Sequence, residues 1–279
     1  MITPKTRLIG ILGNPVSHSL SPAMQNAALR KLDFDARYLA FPVERKKLRE
    51  ALEGLKALGA IGTNVTIPFK EEAFLLMDQA DPEAKILGAV NTVVFRDGLA
   101  VGHNTDIYGT AKALEALAPK VPSALLLGAG GAGRGAALAL VRAGYSPIFV
   151  ANRNRERAEK LSLDLGAAAG AGTIRVLPWG TPPPEPFGVL VNTTSLGLGD
   201  NLWPYETLDL YLSAGIEGKM KVLDVVYGAH GETQLTVEAW KRDIPAIDGT
   251  EALLHQGAAS FKLYTGLEPP VDVMRRALR

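Results

Sequence analysis

The sequence predicts an α/β protein of two domains, and three observations carry that prediction. Gly128-Ala129-Gly130-Gly131-Ala132-Gly133 is a G-x-G-x-x-G run set between an apolar stretch, 124–127, and a helix-like stretch, 134–144. Strand, glycines, then helix is the order that lifts such a run above chance. From Ile107 onward, apolar segments alternate with amphipathic ones, which implies right-handed crossovers and a parallel sheet covered on both faces. The glycine run also lies deep in the chain, with a domain's length of sequence ahead of it. The expected fold is therefore an N-terminal α/β domain followed by a doubly wound parallel sheet.

The 279 residues are 47% hydrophobic and 21% charged, as in an ordinary globular chain long enough to bury sizeable cores. A net charge of +1 gives no reason to expect nucleic acid or an anionic membrane surface as a partner. The absence of cysteine excludes disulfides, thiolate metal sites and cysteine nucleophiles. His18, His103, His230 and His255 show no metal-ligand spacing, so no metal is expected and surface or supporting roles are the default. The apolar run 8–12 is too short for a secretory signal, and Arg134 and Arg142 interrupt the longest apolar stretch well short of a membrane span. A cytoplasmic enzyme is expected.

In the first half, 8–12 reads as a buried strand that ends in the loop 13–19. Ser21-Pro22 reads as a helix start, with Ser as N-cap and Pro at the first helical position, leading into 23–32. Residues 36–41 suit a second strand. In 46–58, Leu48, Ala51, Leu52, Leu55 and Leu58 mark one face of an amphipathic helix. A β-rich stretch, Asn64-Val65-Thr66-Ile67, stops at Pro68. Segments 92–96 and 99–103 flank Asp97-Gly98, a type I′ hairpin signal.

In the second half, 107–117 reads as a helix connecting two domains, ended by Pro119 and Pro122. Strands follow at 124–127, 148–151, 189–191 and 222–226, with helices at 134–144, 155–165 and 233–242, and two closing helices at 249–265 and 271–278. This is a Rossmann-type arrangement. Gly128 permits the tight turn, Gly130 lets backbone approach a pyrophosphate, and Gly133 allows close helix–strand packing. The helix N-terminus offers N–H groups and a positive dipole end to phosphates.

The strand 148–151 runs into Asn152-Arg153-Asn154-Arg155-Glu156-Arg157. A carboxylate is expected here when the ribose carries a free 2′-hydroxyl, and none stands at the strand end. If the helix has already begun, Arg153 and Arg157, four apart, project to one side and bracket a 2′-phosphate. Basic residues at a solvated helix start are the plainer alternative. The position favours NADP(H) over NAD as cofactor.

Hydride transfer needs a group that exchanges a proton with the reacting oxygen. Before residue 110 the usable candidates are Lys70, at a strand-to-helix junction, and Asp106, just past the hairpin. Taken singly, each also reads as a surface charge, the commoner role.

Further segments resemble the shikimate dehydrogenase family in order and spacing. They are Asn14-Pro15-Val16-Ser17-His18-Ser19-Leu20-Ser21-Pro22, Asn64 to Lys70, Gly88-Ala89-Val90-Asn91-Thr92 and Gly102-His103-Asn104-Thr105-Asp106. Asn192-Thr193-Thr194-Ser195, Asp224-Val225-Val226-Tyr227 and Asp248-Gly249-Thr250-Glu251 with Gln256 extend the likeness over nearly the whole chain. The resemblance implies reversible, NADPH-dependent reduction of 3-dehydroshikimate to shikimate, with Lys70 and Asp106 as the catalytic pair. It implies Ser17 and Ser19 at the substrate carboxylate, with Thr66, Asn91, Asp106, Tyr227 and Gln256 around the ring hydroxyls and carboxylate. It carries cofactor roles to Gly128, Ala129, Gly130, Gly131, Ala132, Asn152, Arg153, Asn154 and Arg157, with Val225 and Gly249 near the nicotinamide. Val225 departs from an expected Met, and Asn154 from a familiar Thr. Singly, Asn91 also reads as a turn cap, Thr66 as a strand residue, and Tyr227 and Gln256 as polar groups at the core edge.

The domains expected are residues 1–105 for substrate and catalysis, 106–245 for NADP, and closing helices, 246–279, that return to the first, with the active site in the cleft between the two. The partner is a small molecule and the protein a monomer or homodimer. Rival readings are a quinate/shikimate dehydrogenase of broader specificity with NAD preference, and a non-catalytic NADP-binding regulatory homologue. Arg153 argues against the first, and retention of both Lys70 and Asp106 against the second.

Overall fold

Strand β1 (Arg7–Gly13) starts a sheet that continues with β2 (Ala36–Pro42), β3 (Gly62–Val65), β4 (Gln79–Ala80), β5 (Thr92–Arg96) and β6 (Leu99–His103). Helices α1 (Ser21–Lys31), α2 (Leu48–Ala57), α3 (Lys70–Leu75) and α4 (Pro82–Leu87) connect them. The second sheet is built from β7 (Ala124–Leu127), β8 (Ile148–Ala151), β9 (Ile174–Leu177), β10 (Val189–Asn192), β11 (Lys221–Asp224) and β12 (Ala246–Ile247). Its helices are α5 (Asp106–Leu117), α6 (Gly131–Arg142), α7 (Arg155–Ala169), α8 (Tyr205–Ser213) and α9 (Gln234–Trp240). Helices α10 (Thr250–Thr265) and α11 (Val271–Arg276) close the chain. The computed structural model describes residues 2–278 apart from 171, 198 and 229–231, and only the backbone of 167 and 168. His230 therefore lies outside the described residues.

The chain divides into two units, Met1–Thr105 with Leu253–Arg279, and Asp106–Ala252. The first holds the sheet β2-β1-β3-β5-β6-β4, parallel across β2, β1 and β3 and antiparallel through β3, β5 and β6. Alternation along its strands sends neighbouring residues to opposite faces. Ile9, Ile11 and Val94 join Met24, Ala28 and Leu29 of α1, Phe261 of α10 and Met274 of α11 in one core. Leu12, Val65 and Val93 join Leu48, Leu52 and Leu55 of α2 and Ala84 of α4 in the other.

The second unit is a parallel sheet in the order β12-β11-β10-β7-β8-β9. Strand order reverses between β7 and β10, the arrangement of a doubly wound dinucleotide fold, whose ligand crevice lies outside the strand ends at that point. Every residue of β7, β8 and β10 is buried.

The differences from expectation are local. Leu20, not Ser21, is the N-cap of α1; buried Ser21 is already helical, so Pro22 falls in the first turn, where its missing N–H costs nothing. Strand β3 ends at Val65, and Thr66 turns back to accept from the Phe69 N–H at 2.9 Å. Helix α6 begins at Gly131, so the last glycines of the fingerprint form its first turn. Helices α3 and α4, six residues each, are too short to show a period, and β4, β9, β12 and α8 come in addition to the elements the patterning predicts. The hairpin between β5 and β6 is as expected: Asp97 and Gly98 have φ of 52° and 76°, as a type I′ turn requires. Among the described residues no helix is long and apolar enough to cross a membrane.

Two glycines of the first unit should respond oppositely to alanine. Gly98 sits at positive φ, so Gly98→Ala should lower stability by about 1 kcal/mol. Gly54 lies within α2 with open space around its Cα, so Gly54→Ala should raise stability by about 0.5–1 kcal/mol. Urea unfolding of both variants checks this; shifts of the same sign would contradict the backbone assignments.

Candidate active site

In the first unit the candidate residues gather at the C-terminal ends of β1 and β3. The loop after β1 holds Ser17, exposed, and Ser19, half-buried. Its backbone is not extended as a same-side projection of the two serines requires: Ser19 N donates to Val16 O at 3.1 Å, a turn around Ser17-His18. Ser19 Oγ accepts from Ser21 N at 3.3 Å. The loop start is tied to the end of β3, because Asn14 N donates to Ile67 O at 3.0 Å and Thr66 N to Leu12 O at 2.9 Å. Gly13 has no room for a side chain there, since a Cβ would collide with the Thr66 methyl. Half-buried Lys70 opens α3, and its carbonyl accepts from Val90 N at 2.8 Å.

Asn91, buried, follows on that segment. Its Oδ1 accepts from Thr105 N at 2.8 Å and from Thr92 Oγ1 at 2.9 Å, and its Nδ2 donates to Thr105 Oγ1 at 3.0 Å. Gln256 of α10 stands beside it, Asn91 Nδ2 to Gln256 Oε1 being 3.4 Å. The first unit thus brings Thr66, Lys70 and the serine loop to one edge, with Asn91 and Gln256 side by side. Asp106, the first residue of α5, and Tyr227, half-buried after β11, belong to the second unit. His103 also has a partner that spacing did not reveal: its Nδ1 lies 2.9 Å from Asp81 Oδ2, and Asp81 caps α4 by accepting from Ala84 N.

In the second unit Gly128, at φ 105°, turns the chain out of β7, and Gly130 is the N-cap of α6. A Cβ at Gly133 would collide with the Gly128 carbonyl, so only glycine lets α6 pack this close to the strand end. Gly131 and Ala132 fill the first turn between them. Ala129 N donates to Asn152 Oδ1 at 3.1 Å, and Asn152 Nδ2 to Asn154 O at 2.7 Å, so the loop after β8 braces the glycine loop. Asn154 caps α7 by accepting from Arg157 N at 3.1 Å. Helix α7 therefore starts at Arg155, and Arg153 precedes it. The two arginines do not share a helix face through an i,i+4 step; they flank the cap, both exposed.

Val225 and Gly249 meet. Gly249 N donates to Val226 O at 2.9 Å, and a Cβ at Gly249 would collide with the Val225 carbonyl. Behind them Asp224 is buried at the end of β11, accepting from Asn192 Nδ2 at 2.8 Å, Thr233 Oγ1 at 2.7 Å and Val226 N at 3.1 Å. Asn192 Oδ1 accepts in turn from Thr194 N, and Thr193 Oγ1 donates to Leu127 O at 2.8 Å. Asp224 and Asn192 thus tie the loops after β10 and β11 together beside the glycine loop. Residue-by-residue reading assigned neither a role; the signal was a carboxylate and an amide closing otherwise apolar strands.

Three family models match the chain: a shikimate dehydrogenase substrate binding domain over residues 11–93, shikimate / quinate 5-dehydrogenase over 112–175, and a shikimate 5′-dehydrogenase C-terminal domain over 249–279. A relative from Aquifex aeolicus named shikimate dehydrogenase (NADP(+)) is 41% identical, covering 100% of this chain and 98% of that one. A crystal structure of shikimate dehydrogenase in complex with NADP+ superposes with a TM-score of 0.89 at 35% identity, over 100% of this chain and 96% of the other. The Thermus thermophilus enzyme, in complex with NADP(H) and shikimate, does so with a TM-score of 0.84 at 36% identity, over 98% of each chain.

Burial pushes the Asp224 carboxyl up to about 7, and nearby Asp248 adds to the rise, against the opposing pull of the Thr233, Asn192 and Val226 donors. A folded-state value above the unfolded one means that the stability this group contributes is full below the unfolded carboxylate range. It is lost as pH rises through about 7. Asp224→Asn should therefore shrink the fall in unfolding free energy between about pH 5 and about pH 8. Denaturant titrations of both proteins at the two pH values check this, and an equal fall in both would contradict it.

Proposed function

The chain belongs to the shikimate dehydrogenase family, and from that premise we propose that it catalyses the reversible, NADPH-dependent reduction of 3-dehydroshikimate to shikimate in aromatic amino-acid biosynthesis. It is an NADP-dependent oxidoreductase acting on an alcohol carbon. The observation that carries this reading is the full-length match, joined to an arginine rather than a carboxylate at position 153 beside the glycine loop. A cytoplasmic location, a small-molecule partner and a monomeric or homodimeric state go with it. Residues 1–105 with the closing stretch from Leu253 form the substrate and catalytic domain of this reading, and 106–252, which includes β12, the NADP domain.

The residues present fit NADP(H). The cradle formed by Gly128 to Ala132 has glycine where a side chain would fill the approach, and the first turn of α6 turns its N–H groups to a pyrophosphate. Asn152 holds that loop, and Arg153, Asn154 and Arg157, around the start of α7, would read the 2′-phosphate. Val225 and Gly249, which meet, would hold the nicotinamide. When bound, NADPH supplies the hydride.

The substrate is small and densely polar, and neutral donors and acceptors suit it. Ser17 and Ser19 donate to its carboxylate, and Thr66, Asn91, Asp106, Tyr227 and Gln256 meet its hydroxyls and carboxylate. Lys70 gives the proton to the forming alkoxide in reduction and takes it back in oxidation, and Asp106 is the other member of the catalytic pair.

Following NADPH oxidation by absorbance, with 3-dehydroshikimate supplied or withheld, tests the reading directly; no substrate-dependent oxidation would end it. Lys70→Ala should lower kcat by ~10²–10⁴-fold with a modest change in KM. Near-normal turnover in that variant would remove Lys70 from the chemistry.

Arg153→Asp should weaken NADPH binding by about 2 kcal/mol or more, through loss of a charge-assisted contact, and leave NADH almost unaffected. Titration of both nucleotides decides it. Equal losses would mean that Arg153 does not read the 2′-phosphate.

A further inference from the structure

Behind Asn91 lies a ring of buried side chains that the reaction does not use. Asn64 of β3 pairs across the sheet with Thr92 of β5, Thr105 follows β6, and Ser260 faces them from α10. Thr92 and Ser260 are 0% exposed. Asn64 Nδ2 donates to Thr92 Oγ1 at 3.0 Å and to Ser260 Oγ at 3.1 Å. The Thr92 and Ser260 hydroxyls are 2.8 Å apart, and those of Thr105 and Ser260 are 3.1 Å apart. Ser260 Oγ donates to the Gln256 carbonyl at 3.0 Å, and Tyr38 closes the far end by donating to Asn64 Oδ1 at 2.7 Å.

Each hydroxyl has one proton to give, and that gives the ring a direction. Ser260 shares its proton between the Gln256 carbonyl and the Thr92 hydroxyl, so towards Thr105 it accepts. Thr105, its proton so used, accepts from Asn91 Nδ2. At the other end Asn64 donates into Thr92, whose proton goes to Asn91 Oδ1. The Thr105 N–H reaches the same oxygen at 2.8 Å. An inverted Asn91 amide would set its nitrogen against the Thr105 N–H, donor to donor. The orientation of this side chain is thus decided behind it, and Nδ2 is the atom that faces the Gln256 side chain.

We propose that Ser260 and Thr92 are positioning residues, which hold the Asn91 amide so that it meets an oxygen of the substrate as a donor beside Gln256. The inference rests on the reading that Asn91 and Gln256 bind shikimate. A site built this way selects ligands offering a hydroxyl or carbonyl oxygen to Asn91 and discriminates against a replacement that offers only a donor.

Ser260→Ala and Thr92→Val each remove one link, and Thr92→Ser keeps it. Shikimate Kd, measured by calorimetric titration, should rise about tenfold in the first two variants and return towards wild type in Thr92→Ser, with NADP⁺ Kd unchanged throughout. With Asn91 already replaced by Ala, Ser260→Ala should add no further loss, because it acts through that amide. Unchanged shikimate affinity in Thr92→Val and Ser260→Ala, or losses fully additive with Asn91→Ala, would overturn the proposal while wild-type binding stood. Absence of shikimate binding by the wild-type protein would instead overturn the functional reading, and this inference with it.

Discussion

A strand that ends inside a protein leaves backbone groups in the following loop that neither the sheet nor water satisfies, and such groups must be paired. This chain repeatedly meets that constraint with asparagine. Asn91 Oδ1 takes the Thr105 N–H, Asn152 Oδ1 the Ala129 N–H, and Asn192 Oδ1 the Thr194 N–H. Asn14 Nδ2 and Asn104 Nδ2 give to the carbonyls of Val43 and Ala89. An amide both accepts and donates without charge, so one side chain joins two loops at no ionic desolvation cost. The edges to which the candidate residues map are held in shape by these amides.

Charge is distributed by the same logic. Arg153 and Arg157, proposed to read a nucleotide phosphate, stay exposed, where holding a guanidinium costs little. Asp224, a carboxylate buried at a strand end in the second unit, is compensated by three donors rather than by a cation. Arg134, buried in α6, is matched instead by Asp164 of α7 at 2.8 Å. Close approach is the other recurring device: Gly13, Gly133 and Gly249 each stand where a Cβ would strike a neighbour, and each lies beside a candidate binding segment.

Elements were legible where the signal was long or chemically sharp. The strands 124–127 and 148–151 coincide with β7 and β8, and Asp97-Gly98 forms the expected hairpin turn, because continuous apolar runs and the positive-φ requirement are properties of a few adjacent residues. Helix boundaries were less legible. Helix α7 starts at Arg155 as the patterning predicts, but Ser21 inside α1 displaces the cap to Leu20; capping depends on which oxygen points back along the helix, which composition does not record. Ser17 and Ser19 share a loop whose shape the sequence does not specify, and the turn at Val16–Ser19 shows that a loop's backbone is decided by what it packs on.

The sequence by itself determined the fold class, the order of strand, glycines and helix, the absence of an acidic residue at position 153, and the polar residue types available to a small ligand. These are local facts, carried by patterning and by side-chain chemistry. Only the tertiary structure decided which polar groups meet across long separations. Gln256 stands beside Asn91, Ser260 bridges Thr92 and Thr105, and Asp224 gathers Asn192 and Thr233. Hydrogen bonds between residues far apart in the chain are set by sheet register and helix packing, which no single segment contains, and in a buried site they decide which way each amide faces.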